Sequence, residues 1–228
     1  MNGLITFYNS SVGKKITMSL TGLFLCIFLI EHLVGNLLLL RQDGGLAFEQ
    51  YSEFLTSNPF VYIPLRFVEV ILFTSIILHA LSGVSVWLKN RRARPKKYEE
   101  YGVAENTKFA SRWMMTSASI VFIFLVIHLK TFFVNIRFAG EHVNGYFLAQ
   151  QMFHQTWYSV FYLFALALLA FHLFHGFQSA FQTLGLKTKK YSGLIDAIAV
   201  IFWLIIPIGF AVIPIYFLFF HQTVALAQ

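Results

Sequence analysis

Residues 157–184 read WYSVFYLFALALLAFHLFHGFQSAFQTL, without one Asp, Glu, Lys or Arg. About 20 apolar residues suffice for a helix to cross a ~30 Å hydrocarbon core, and a buried helix of a soluble domain seldom stays apolar for so long. The segment therefore reads as a transmembrane helix, and it carries two histidines, His172 and His175. Outward from it lie four more stretches of the same kind, at roughly 16–40, 61–88, 113–138 and 194–220. They explain a chain that is 57% hydrophobic and 12% charged, when soluble domains carry about 25% charged residues. The expected fold is an all-α integral membrane protein of five spans, with residues 1–228 as a single membrane domain in a lipid bilayer.

The first stretch is too long for the apolar region of a cleaved signal, and no small-residue cleavage site follows it. The lone cysteine, Cys26, lies inside that span, so no intrachain disulfide is possible. No C-x-x-C-H occurs either, so any haem would be held by axial ligands alone.

Charge is unevenly shared among the connections. Lys14 and Lys15 precede span one; Lys89, Arg91, Arg92, Arg94, Lys96, Lys97 and Lys108 follow span two; Lys187, Lys189 and Lys190 follow span four. The other connections hold Arg41 and, at an edge, Arg137. The positive-inside rule puts the basic set in the cytoplasm, hence the N-terminus inside and the C-terminus outside. The basic loops, and the formal charge of +7, need no role beyond fixing topology, although a docking face for acidic soluble subunits is an alternative. Short loops between spans do not suit nucleic-acid binding. Residues 41–60 and 139–156 form the outer connections, each long enough for a short interfacial helix.

Of eight histidines, His32, His79, His128, His172 and His175 sit in spans, while His142, His154 and His221 do not. A lone histidine in a bundle is more often a hydrogen-bonded core residue than a ligand. Ionisable groups inside a membrane are expensive and usually functional, so five in four helices point to function, with proton relay as one option. Depth bears on the choice. Counted from Lys15, His32 is about 26 Å deep; counted from Arg112, His128 is about 24 Å deep. His79 lies about 15 Å from Lys89, and His172 and His175 lie about 22 and 18 Å from Lys187. Two levels emerge: His32 with His128 toward the outside, and His79 with His172 or His175 toward the inside. Haem iron takes two axial ligands, which facing helices of a bundle supply. A proton relay has no need of paired levels. Glycine follows histidine by four at His79/Gly83 and His172/Gly176, on the same helix face, where a porphyrin plane needs a small residue. Ser179 stands in the same relation to His175, so both histidines stay open on these grounds.

Four segments carry a resemblance: SLTGLFLCIFLIEHL around His32, LHALSG around His79, FLVIHLKTF around His128, and FHLFHGFQSAFQTLG around His172. Together they resemble the cytochrome b membrane anchor of succinate dehydrogenase and fumarate reductase, of the single-subunit, five-helix, di-haem type. The resemblance implies four helices forming a haem-binding bundle with two haems b. It pairs helix one with three (His32 and His128, outer haem) and helix two with four (His79 and His172, inner haem). Gly176 and Gly185, four and thirteen residues after His172, fit the family's fourth-helix pattern and select His172; His175 then becomes a neighbour of a propionate or backbone group. Ser19 matches a position near the inner propionates, and Arg112 and Trp113 share that level.

The same resemblance implies a flavoprotein subunit and an iron–sulfur subunit on the cytoplasmic side. Electrons would pass by way of the inner and outer haems to a membrane quinone, with menaquinone the expected species, in the cell's inner membrane. Succinate chemistry would belong to the partners, because this chain has neither a dinucleotide glycine motif nor a cysteine cluster. A quinone also needs polar groups to handle protons. FEQYSEFLTSNP, residues 48–59, offers Glu49 and Glu53, and the resemblance favours Glu53. Some family members place a proton-carrying glutamate two residues before the fourth-helix ligand; here Ala170 stands there, and Glu31 beside His32 is a substitute. Rival readings are the cytochrome b anchor of a hydrogenase, formate dehydrogenase or heterodisulfide reductase, and, from another class, a haem-free transporter or proton channel. The last would need helix breaks at mid-membrane, for which only Pro207 and Pro214 offer themselves.

Overall fold

The structure is a computed structural model that describes residues 2–92, 105–138 and 143–220, and within these the side chains at 2, 4, 5 and 105–112 are left aside. Among the described residues every regular element is helical. α1 (Asn2–Asn9) precedes α2 (Ser11–Leu37), which a 3-10 turn, Leu38–Leu40, extends; α3 (Leu46–Ser57) leads to α4 (Pro59–Arg92). α5 (Glu105–His128) runs through a π-helical segment, Leu129–Val134, into α6 (Asn135–Phe138). α7 (Gly145–Phe153) is followed by α8 (Thr156–Thr183), α9 (Ser192–Val200), a second π-helical segment, Ile201–Ile205, and α10 (Ile206–Phe219). Five helical runs are long and apolar enough to cross a membrane: Ser11–Leu40, Pro59–Arg92, Trp113–Phe138, Thr156–Thr183 and Ser192–Phe219. They match the five expected spans with ends shifted by a few residues, the basic end of Pro59–Arg92 running on through Lys89, Arg91 and Arg92. Each of the connections 41–60 and 139–156, read as having room for a short helix, holds one, α3 and α7.

Local chemistry sets the ends. Ser10 caps α2 by accepting from the Gly13 amide at 2.9 Å, satisfying one of the amides that a helix start leaves orphaned. α8 stops at a left-handed Gly185, φ +73°. There the Leu186 amide donates to the Phe181 carbonyl at 2.9 Å and the Gly185 amide to Gln182 at 3.1 Å, the paired bonds of a Schellman stop. Before α3, Asp43 accepts from the Gly45 and Ala47 amides. Gly45 has φ +90° and lies so close to Tyr146 that a Cβ there would be 2.3 Å from the ring, so this turn needs glycine twice over. In span five the π-helical turn Ile201–Ile205 ends two residues before Pro207. Proline has no amide and clashes with the carbonyl four residues back, and a locally widened helix accommodates both.

The helices pack α4 on α2, α2 on α8 and α8 on α5, while α10 lies outside against α8 and α2. This leaves a square bundle whose diagonals are α2–α5 and α4–α8. Its fourth side, between α4 and the third span, is the loosest. Only 11% and 6% of those two apolar windows are buried, against 28% and 33% for the fourth and fifth spans. That side is joined by the Phe73–Phe133 ring contact, at 5.2 Å, and by Glu69, which pairs with Arg66 on its own helix and with Arg137 of α6 at 3.3 Å. One buried cluster, Leu39, Tyr146, Ala149, Phe153, Tyr158, Tyr162, Ile213 and Phe217, closes the end that carries α3 and α7. A second, around Cys26, Leu173, Phe177 and Phe202, joins α2, α8 and span five. The helix faces turned outward are covered with exposed Ile, Val, Leu and Phe, a surface suited to lipid.

Candidate functional site

Each diagonal of the bundle carries a pair of histidines. Nearer the basic end, where Lys89, Arg91, Arg92 and Lys187 lie, the rings of His79 (α4) and His172 (α8) have centres 6.2 Å apart and stand 74° to one another. Nearer the opposite end, His32 (α2) and His128 (α5) have centres 5.7 Å apart at 87°. The spacing of the sequence thus brings together the expected partners. It also separates His172 from His175, for it is the His172 ring that meets His79, while His175 is half-buried one turn further on.

The surroundings orient the rings. His79 Nδ1 lies 3.0 Å from the Met18 carbonyl. A carbonyl only accepts, so this nitrogen carries the proton and leaves the Nε2 lone pair free. Thr21 Oγ1 stands 3.4 Å from the same nitrogen, and Gly22 makes the room: a Cβ there would come within 2.9 Å of His79 Cε1. His128 Nδ1 is 2.9 Å from the Tyr162 hydroxyl, which also accepts from Tyr158 at 3.1 Å. His32 is stacked on Phe28 and faces Phe210; Asn36 donates to its carbonyl at 2.7 Å and stands 3.4 Å from its Nδ1. Phe124 and Phe132 flank His128. A hydrogen bond on the far nitrogen is what fixes tautomer and ring direction in metal-binding histidines.

Two imidazoles binding one iron from opposite sides have ring centres roughly 6 Å apart, because each metal–nitrogen bond is about 2 Å long. Both pairs are close to that separation. Among the described residues, the His172 Nδ1 and Ser82 Oγ are buried without a hydrogen-bond partner, and buried polar atoms are rarely left so. Gly176, among the described residues, has nothing within 4 Å of where a Cβ would stand, and Gly83 only Met18 Sδ at 3.7 Å. Small buried residues, Ser19, Ser75, Ser82 and Ser117, line the bundle. Among the described residues no group of three or more His, Cys, Asp or Glu side chains is placed to hold a bare ion. Two facing pairs of imidazoles are a donor set of the kind that two haems would take as axial ligands, His79 with His172 for one and His32 with His128 for the other.

The other expected residues fall around these pairs. Ser19 is buried on α2, next to the Met18 carbonyl that orients His79. Trp113 is exposed at the start of its span; the Arg112 side chain, His142 and His221 lie outside the described residues. Glu49 accepts from the Tyr146 amide at 3.0 Å and ties α3 to α7. Glu53 is exposed on α3. Glu31 accepts from the Tyr51 hydroxyl at 2.8 Å. Sequence reading missed Thr21, Gly22, Tyr162, Tyr158 and Tyr51. Only Gly22 left a signal, as a glycine in mid-span; the tyrosines act on histidines or carboxylates of other helices, which spacing along one helix does not expose. No protein-family model, curated protein or solved structure matches the chain.

Proposed function

We propose that this chain is the di-haem cytochrome b membrane anchor of a succinate:quinone oxidoreductase or fumarate reductase, passing electrons between an iron–sulfur subunit and membrane quinone. The observation that carries it is the pair of facing histidine couples, His79/His172 and His32/His128, stacked along one bundle. Four imidazoles in an apolar bundle are costly unless used, and two levels of two match what two haems require. Bound there, each haem would supply a one-electron iron couple. The chain's own part is to hold the rings. The Met18 carbonyl sets the tautomer of His79, the Tyr162 hydroxyl steadies the ring of His128, the aromatic wall of Phe28, Phe124, Phe132 and Phe210 keeps water from the second pair, and Gly22 leaves His79 its place. The basic end is the face for the flavoprotein and iron–sulfur subunits, on the cytoplasmic side of a cell's inner membrane. The choice of succinate over hydrogen or formate as partner chemistry rests on the four-segment resemblance alone.

The test is purification of the complex from membranes, with haem extraction, reduced-minus-oxidised spectra and identification of co-purifying subunits. The expected result is two low-spin haems b per chain together with a succinate-oxidising flavoprotein. One haem per chain, or a high-spin ferric signal from the intact protein, overturns the bis-histidine assignment. A hydrogenase or formate dehydrogenase partner moves the chain to another cytochrome b class.

A further inference from the structure

The haem reading uses the inside of the bundle and leaves a groove on its outer wall without a role. The groove lies between α8 and α9 at the basic end and has a volume of about 220 Å³. Phe177 and Ile195 are its buried floor; Phe181, Leu186, Leu194 and Ile198 form its sides, and Tyr191 completes the lining. Leu194 is 61% exposed and Leu186 51%, so the groove opens outward. Its residues 177, 181, 194, 195 and 198 belong to the spans Thr156–Thr183 and Ser192–Phe219, which sets it in the hydrocarbon layer. Ile198 stands about 9 Å along α9 from Ser192. Tyr191, just before that helix, marks the headgroup level, where tyrosine is enriched.

The mouth of the groove is cationic. Lys187 is already engaged, donating to Asp196 at 3.0 Å and to Gln178 at 3.1 Å. The next two lysines are not. Lys190 Nζ stands 5.2 Å from the centre of the Tyr191 ring, and that ring lines the groove, so the ammonium is held at its edge. Lys189 is exposed beside it. Among the described residues neither ammonium has a carboxylate within 4.0 Å. Fixing topology asks for lysines in this turn but not for an apolar groove beneath them. A neutral lipid would leave the two charges unused, and a free phosphate would leave the groove unused. A second copy of the chain would set its own Lys189 and Lys190 against these. A segment of a soluble subunit would have to enter the hydrocarbon. An amphiphile with an anionic head satisfies both halves of the site at once.

We infer that the groove between α8 and α9 holds one anionic phospholipid, its phosphodiester on Lys189 and Lys190 and the upper part of an acyl chain against Phe181, Leu194 and Ile198. Basic pockets between transmembrane helices take anionic head groups in this way. The volume suits part of one chain rather than a whole molecule, since sites that enclose a drug-sized ligand measure about 300–1,000 Å³. The groove is separate from both histidine pairs, and the inference does not depend on the function proposed above.

The experiment uses the full chain, purified from membranes with its subunits and stripped of lipid in detergent. The probes are phosphatidylglycerol and phosphatidylcholine, each with a photoreactive diazirine in one acyl chain; bound lipid is counted and adducts are mapped by peptide mass spectrometry. Phosphatidylglycerol is expected to bind at one per chain, ahead of phosphatidylcholine, with adducts on Phe181, Leu194 or Ile198. Each lysine at an anionic head contributes roughly fivefold, so the pair Lys189→Gln and Lys190→Gln should weaken phosphatidylglycerol about twentyfold and leave phosphatidylcholine unchanged. The pair Lys189→Arg and Lys190→Arg should bind as wild type. Leu194→Trp, which fills the groove, should abolish the adducts; if it fails to assemble, the exposed lysine pairs decide. Equal binding of the two lipids overturns the site, as does undiminished phosphatidylglycerol binding by the glutamine pair. Adducts only on other helices overturn it too. So does a groove that takes no lipid in the assembled complex because a soluble subunit or a second copy covers it.

Discussion

At the basic end, His79 is steered by a backbone carbonyl, that of Met18 at 3.0 Å, among small neighbours such as Gly22 and Ser82. At the opposite end, His128 is steered by a side chain, the Tyr162 hydroxyl at 2.9 Å, inside a box of aromatic rings. The two pairs therefore share a ligand set but not the means of holding it. A carbonyl within a helix cannot be removed by substitution, and it fixes one tautomer. A tyrosine hydroxyl can donate or accept, so its direction follows whatever the histidine's other nitrogen binds. The basic-end pair is built on close approach of backbone, the other on filled volume. The same sequence change should then have different consequences at the two ends.

On the proposed haem reading, the largest expected effect comes from the four paired histidines. His79→Leu or His172→Leu should cost the basic-end haem alone, and His32→Leu or His128→Leu the other, so that each variant keeps one haem per chain by extraction. A cavity and an orphaned imidazole among apolar helices cost several kcal/mol, so only samples with normal subunit stoichiometry are informative. If His79→Leu and His32→Leu removed the same spectral component, the two pairs would not be separate sites.

A smaller, one-sided effect is expected of Gly22→Val. Its Cβ would stand 2.9 Å from His79 Cε1, and a branched side chain, stiff in a helix, cannot turn away. Haem content should fall from two toward one per chain, with the low-spin signal of the opposite-end pair unchanged. Equal loss at both ends would show that the steric account of the basic end is wrong.

The smallest effect sharpens the comparison from the other side. Tyr162→Phe keeps the ring and its packing but leaves His128 Nδ1 without its partner. Loss of such a partner typically weakens metal binding about 10-fold to 100-fold; with a second axial ligand in place, we expect the lower figure. It is measurable as faster haem transfer to an acceptor protein from the opposite-end site only. An unchanged transfer rate would mean that the aromatic box, rather than the hydroxyl, holds His128.

Much of this was open to reading along the chain because a membrane simplifies the problem. Every backbone polar group must be satisfied inside the bilayer, so a long apolar run there becomes a helix, and regular rise turns residue counts into depths. That is why five spans, both connecting helices and the two levels of histidines follow from the letters alone. The Schellman stop at Gly185 likewise needs only local sequence, since left-handed backbone favours glycine.

Other features depend on which helix lies beside which, and this no single helix specifies. Depth and spacing left His172 and His175 open, because residues three apart lie on neighbouring parts of a helix; the resemblance selected His172, and the structure sets the His172 ring against His79. The tethering of His128 by Tyr162, of His79 by Met18, and of Glu31 by Tyr51 joins residues 34, 61 and 20 positions apart. The π-helical segment that starts directly after His128 has no signature in LKTFFV. Sequence determined the lengths, depths and chemical kinds of the groups, because these are set by local composition and rise. Tertiary structure decided which groups meet and which nitrogen stays free, because those follow from the azimuth and spacing of packed helices.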